Sequence, residues 1–180
     1  MKILTLLRHA KSGWDDPVQR DFDRPLNAKG ARAAATVGEH LRSLGIGFDH
    51  VVASPALRVT ETVEHLGRGY GRPFEPDWDR RLYLASTSML LDLIHALPEE
   101  ADRVLMIGHN PGLAELALLL TADAPDAMLR REVAIKYPTA SIAELHVVGH
   151  WATVLPGEAR LMRFVRPRDL DPELGPEHIR

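Results

Sequence analysis

The chain has 180 residues, 45% hydrophobic and 26% charged, with no cysteine; 22 basic and 25 acidic side chains give a net charge of −3. This balance fits one globular domain and excludes a disordered or collagen-like chain. It also excludes disulfides, thiol nucleophiles and Cys-ligated zinc, and a mildly acidic total argues against a nucleic-acid-coating protein while leaving room for a local basic pocket.

Residues 2–7 form a short apolar run ended by Arg8-His9, which predicts a buried strand. The run is too short for a secretory signal, and no segment approaches the ~20 apolar residues of a membrane span. A cytoplasmic protein without membrane contact is expected. Residues 11–24 carry Gly13, Pro17 and four aspartates and read as a loop. Asn27 can cap a helix over 28–44, with Gly45 as its stop. Residues 51–53 are a second strand. Ser54 is placed to cap the next helix, with Pro55 at its first position. Residues 67–77 are a Gly/Pro-rich connection. Ser86 or Thr87 starts a helix reaching about residue 97, before Pro98. Residues 104–107 are a third strand, and Asn110 is placed to cap a helix whose first position is Pro111. Later strands are predicted at 141–148 and 161–165, with 151–155 as another candidate. Alternating strands and helices predict an α/β sheet with helices on both faces. The domain is expected to span residues 1–166, and the Pro- and charge-rich stretch 167–180 reads as a loose extension or partner-binding arm.

Two strand ends carry chemistry. The first delivers Arg8, His9 and Lys11, and the third delivers Gly108-His109-Asn110-Pro111-Gly112. Sites in open α/β sheets form at the carboxyl ends of strands, so both histidines are expected at one edge. The second strand leads to that edge too, and Arg58 falls in the first turn of the helix behind it. Arg8, His9, Arg58 and His109, with Lys11 nearby, make a cationic cluster next to helix N-termini. An arginine fork matches phosphate oxygens in a bidentate way. A neutral histidine among such cations can attack phosphorus.

These residues form an ordered set: Leu7-Arg8-His9-Ala10-Lys11-Ser12, Asp23-Arg24-Pro25-Leu26-Asn27, Ser54-Pro55-Ala56-Leu57-Arg58 and Gly108-His109-Asn110-Pro111-Gly112. The set resembles the histidine phosphatase superfamily, which includes the cofactor-dependent phosphoglycerate mutases. The short chain and its Arg-His-Ala-Lys-Ser opening are most similar to the SixA-type phosphohistidine phosphatases. The resemblance covers roughly residues 1–148. It implies a three-layer α/β/α sandwich with a mostly parallel sheet. It also implies that His9 becomes phosphorylated while Arg8, Arg58 and His109 hold the phosphoryl oxygens. Lys11, Ser12 and Asn110 are further candidates for phosphate contact, although Ser12 and Asn110 serve equally well as turn or cap residues. No metal or other cofactor is implied, because the arginines supply the positive charge.

One departure narrows the substrate. In larger members of the superfamily a Glu or Asp donates a proton to the leaving group. The corresponding stretch, residues 80–86, has no carboxylate, and Asn110 follows His109 where another branch has Asp. An alkoxide needs that proton, whereas imidazole can leave phosphohistidine neutral when its ring is already protonated. The expected substrate is therefore phosphohistidine on a partner protein. The alternatives are an aryl or alkyl phosphomonoesterase, with Asp79 or Glu144 as an unrecognised acid, and a phosphate- or phosphoprotein-binding module with little catalysis. Several residues keep two readings. Trp14 walls the pocket or simply packs. Glu61, three residues after Arg58, can pair with it, either orienting the arginine or as a plain surface pair. Tyr83 contacts substrate or packs. His146 and His150 have a metal-like spacing but fall in a strand, where they are not neighbours. The remaining histidines read as surface or capping residues.

Overall fold

A computed structural model describes residues 1–13 and 20–176, so the expectations for Trp14 and His178 fall outside the described residues. Six strands form one sheet: β1 (Lys2–Arg8), β2 (His50–Ala53), β3 (Asp77–Trp78), β4 (Arg103–Gly108), β5 (Ile142–Val147) and β6 (Arg160–Val165). Their order is β3-β2-β4-β1-β5-β6. β1, β2, β3 and β4 pair in parallel, while β5 runs antiparallel to both β1 and β6. The sheet is therefore mostly parallel, as expected.

Alternation along the strands splits the core into two layers. Leu4, Leu6, Val104 and Met106 face one side, against α3 (Thr87–His95), α4 (Gly112–Leu120) and α5 (Met128–Ile135). Leu7, Leu105 and Ile107 face the other, against α1 (Ala28–Ser43) and α2 (Leu57–Tyr70). The central strands are apolar on both faces because both faces are covered. Asn27 caps α1 through Gly30 N–H at 2.8 Å, and Ser86 caps α3. Gly30 has a positional reason: a Cβ there would collide with the Lys11 carbonyl oxygen. That close approach fixes the loop after β1 against the start of α1.

Four local expectations are corrected. α2 begins at Leu57, not at Pro55, and Ser54 does not act as its cap. α4 begins at Gly112, one residue after Pro111, although Asn110 Oδ1 still accepts the Ala114 N–H at 3.1 Å. Residues 151–155 hold a short 3-10 turn instead of a strand. Trp151 is fully buried there, and its indole N–H donates to the Ala101 carbonyl at 2.7 Å. The stretch after residue 166 is not loose as far as residue 176. Pro167–Leu170 form α6, Pro172–Leu174 form a 3-10 turn, and Leu174 is buried among the side chains of the α1–α2 layer. Arg32 of α1 pairs with Asp171 and Glu173, and Lys29 donates to the Gly175 carbonyl. The Pro and charge content hid one apolar pair, Leu170 and Leu174, spaced to dock on α1.

Candidate active site

Parallel pairing aligns the strand ends: Arg8 lies opposite Gly108, and Ala53 opposite Ile107. The next residues are stitched together by backbone. His9 N–H donates to the Gly108 carbonyl at 3.0 Å, and Ser54 N–H to the Ile107 carbonyl at 3.1 Å. His9, Ser54 and His109 thus leave adjacent strands side by side. A cavity of about 360 Å³ opens above them, lined by Arg8, His9, Arg58, His109, Lys11 and Ser12 among others. The structure brings together all seven candidate residues, since Asn110 lines it too.

His9 is 7% exposed. Its Nδ1 lies 2.7 Å from the Ala10 carbonyl, which can only accept, so the ring proton sits on Nδ1. Nε2 is then the lone-pair nitrogen. Burial, together with the charges of Arg58, Arg8 and Arg24, lowers His9 to about 4 against the pull of the Ala10 bond. Arg58 is 2% exposed, and its guanidinium organises the centre. Its Nε lies 3.3 Å from His9 Nε2, and its Nη2 lies 3.3 Å from His109 Nδ1. A guanidinium only donates, so both ring nitrogens accept. Neutral His109 therefore carries its proton on Nε2, 2.8 Å from Ser54 Oγ. Burial and the neighbouring His9 lower His109 to about 3. Arg8 donates through Nη1 to the Tyr137 carbonyl at 2.9 Å, while its buried Nε has no hydrogen-bond partner among the described residues. A buried charged donor left without an acceptor is costly, and Arg8 is also one of the guanidinium groups lining the cavity, a group suited to an oxyanion.

The sequence reading missed Asp21, Arg24 and Ser54. Asp21 belongs to a 3-10 turn over Asp21–Asp23 and lines the cavity. Its Oδ2 lies 3.0 Å from Arg58 Nη2 and 2.6 Å from the Tyr83 hydroxyl, and its Oδ1 accepts from Arg24 Nε at 3.0 Å. These bonds outweigh its partial burial and lower its carboxyl to about 2. The quoted motif around Arg24 flagged the segment, but no periodicity could say that this aspartate turns inward.

Other candidates resolve as follows. Ser12 Oγ accepts from Arg24 Nη1 at 2.8 Å. The Asn110 amide is committed to the Tyr137 carbonyl and the Ala114 N–H, so its side chain holds structure rather than ligand. Glu61 does not pair with Arg58; it accepts the Leu26 N–H at 2.9 Å. Tyr83 packs edge-on against His109 and donates to Asp21. Asp79 is tied to Arg81, and Glu144 to His146 and Arg163, so neither serves the cavity as an acid. Among the described residues no group of three or more His, Cys, Asp or Glu side chains could hold a metal ion.

The two lowered histidines predict acid sensitivity. Unfolded histidine takes up a proton near 6.5, whereas these wait until about 4 and about 3. Between those limits the unfolded chain binds protons that the native chain refuses, so stability falls as pH drops below 6.5. Asp21 acts in the same direction only lower, between 3.8 and about 2. Urea midpoints are expected to fall markedly from pH 7 to pH 4.5, and less so in His9→Asn/His109→Asn. Equal slopes in the two proteins would contradict the assignment of buried neutral rings.

Residues 4–82 match the sequence profile of the Histidine phosphatase superfamily (branch 1). An uncharacterised protein of Mycobacterium tuberculosis is 36% identical over 90% of this chain and all of its own length. A candidate phosphohistidine phosphatase, SixA, from Nakamurella multipartitia superposes with a TM-score of 0.79 at 29% identity, covering 92% of this chain and 96% of its own. Its counterpart from Agrobacterium tumefaciens gives 0.75 at 27% identity, over 92% and 98%. The chain belongs to the histidine phosphatase superfamily, on its SixA-type branch. Its activity class is that of a phosphatase.

Proposed function

We propose that the enzyme removes the phosphoryl group from phosphohistidine on a partner protein, through a phosphorylated His9. One observation carries this reading: His9 is a neutral ring whose bare Nε2 sits against Arg58 at the floor of a cationic cavity. In the first step Nε2 bonds to phosphorus and the bond from phosphorus to the substrate imidazole breaks. The electron pair returns to the leaving ring, which departs neutral because its other nitrogen is protonated. In the second step water attacks phosphorus, the bond to His9 breaks, and inorganic phosphate leaves. His9 keeps its Nδ1 proton on the Ala10 carbonyl throughout. The Arg8 and Arg58 guanidinium groups are the donors for the equatorial oxygens, where positioning and charge stabilisation do most of the work. The Ser54 hydroxyl can accept or donate, so it supports either tautomer of His109. The tautomer with a proton on Nδ1 serves a phosphoryl oxygen once Arg58 Nη2, which donates to that nitrogen in the structure, turns to the incoming oxygens.

The substrate assignment rests on the missing proton. Asp21 is the carboxylate among the described lining residues, and it is held ionised, so it offers no O–H at neutral pH. A site of this kind suits leaving groups that need no acid. Support for this choice of leaving group comes from the similar structures whose names give them as candidate phosphohistidine phosphatases. The test is a panel of phosphohistidine peptide, p-nitrophenyl phosphate and an alkyl phosphate. The order of kcat/KM is expected to follow that sequence, with the alkyl ester at least about 10²-fold below the peptide, the scale of a lost general acid. Comparable values for the alkyl ester and the peptide would defeat the acid-free argument.

A further inference from the structure

A second cavity, about 240 Å³, adjoins the first and shares Arg8, Lys11 and Thr139 with it. Its outer wall is the docked segment after residue 166. Besides Arg8, five cations line it: Lys11, Lys29, Lys136, Arg166 and Arg168. No carboxylate is among its described lining residues, although the chain as a whole is net acidic. Two of these cations have local partners: Arg166 is held by Asp169, and Lys29 reaches the Gly175 carbonyl. Lys11, Lys136 and Arg168 are exposed and make no ion pair among the described residues. The floor between the cations is apolar, from Ala33, Pro138, Pro167 and Leu174.

Like charges converging on one concavity repel, and nothing in the fold requires Lys136 and Arg168 to meet there. They come from separate elements, one just after α5 and one in α6. We infer that this annex is a second anion subsite, which receives carboxylate side chains flanking the phosphohistidine of the partner protein. The inference rests on the phosphohistidine reading above and specifies its substrate class: an acidic segment whose carboxylates lie beside the phosphorylated residue. A protein occupant is favoured over a small bisphosphate because the unpaired cations are exposed at the rim, where a partner surface can reach them.

The experiment compares the full-length enzyme with Lys136→Gln/Arg168→Gln, which changes two exposed side chains outside the phosphoryl-binding set. Substrates are phosphohistidine peptides with acidic or neutral flanks, a small bisphosphate, and p-nitrophenyl phosphate. The wild type is expected to prefer the acidic peptide, and the variant to lose about fivefold or more on it alone, the scale of two exposed charge contacts. Moderate salt should erase the same preference. Rates on p-nitrophenyl phosphate should match. Equal kcat/KM for the acidic and neutral peptides in the wild type, or equal losses on all substrates, would overturn the subsite. A loss on the bisphosphate alone would assign it to a small molecule and overturn the protein occupant. If no phosphohistidine peptide turns over, the phosphohistidine reading fails. The subsite is then judged separately, by whether an unphosphorylated acidic peptide inhibits p-nitrophenyl phosphate hydrolysis in the wild type more than in the variant; equal inhibition overturns it.

Discussion

His9→Ala is expected to lower kcat by about 10⁴-fold or more, the scale seen when a covalent nucleophile is removed. The reason is specific to this ring. Its Nδ1 proton is pinned by the Ala10 carbonyl and its pKa is lowered to about 4, so Nε2 is a free base at neutral pH. His109, the neighbouring ring, has its Nδ1 against Arg58 and its Nε2 against Ser54, and it stays in place in the variant as an internal control for the label. The direct check is a labelled phosphoryl donor followed by rapid quench. Wild type should carry acid-labile, alkali-stable label on His9, and the variant none. Phosphate binding should survive in the variant, because the arginines remain. A wild-type protein that binds phosphate but never becomes labelled would make the chain a phosphate-binding module. Near-full turnover by His9→Ala would refute the nucleophile.

The second large effect is at Arg58. Arg58→Lys is expected to cost about 10²–10³-fold in kcat/KM, the loss typical of one preorganised donor. The charge is retained, but the fork is not. The guanidinium reaches His9, His109 and the Asp21 backbone and carboxylate at once, from the first turn of α2. An ammonium is a compact point charge and cannot span those partners. Steady-state kinetics with p-nitrophenyl phosphate would measure the loss. An NMR titration should show His9 still below the ordinary histidine range, since its burial and the neighbouring positive charge that lower it are both kept. A lysine variant with wild-type kinetics would remove Arg58 from the phosphoryl-binding set.

The sheet was legible because its strands are short apolar runs ended by charge, and because helices beginning after Asn27 and Ser86 announce themselves by caps. Two strands escaped notice or changed character for physical reasons. β3 is only two residues, exposed on both, and has no hydrophobic pattern to read. Trp151 looked like strand material but fills a core gap from a 3-10 turn. At the site, residues at strand ends were predictable because the parallel sheet fixes where they go. Asp21 was not, because its position depends on a turn packed against Arg58 and Tyr83 from another part of the chain. Ser54 looked like a helix cap because its sequence neighbours suited one. The histidine across the strand gap, distant in sequence, offered it a better partner.

That inward aspartate gives the cavity a resident counter-ion. Arg8, Lys11, Arg24 and Arg58 face it with four positive charges, and Asp21 already neutralises one of them. The remaining positive charges exceed what a monoanion such as acetate or chloride brings, so such an ion leaves the cavity short of negative charge. A phosphate dianion brings twice the charge and several oxygens, which match more than one of the lining guanidinium groups. The expected consequence is selection by valence: phosphate dianion should bind more tightly than a singly charged ion of similar size.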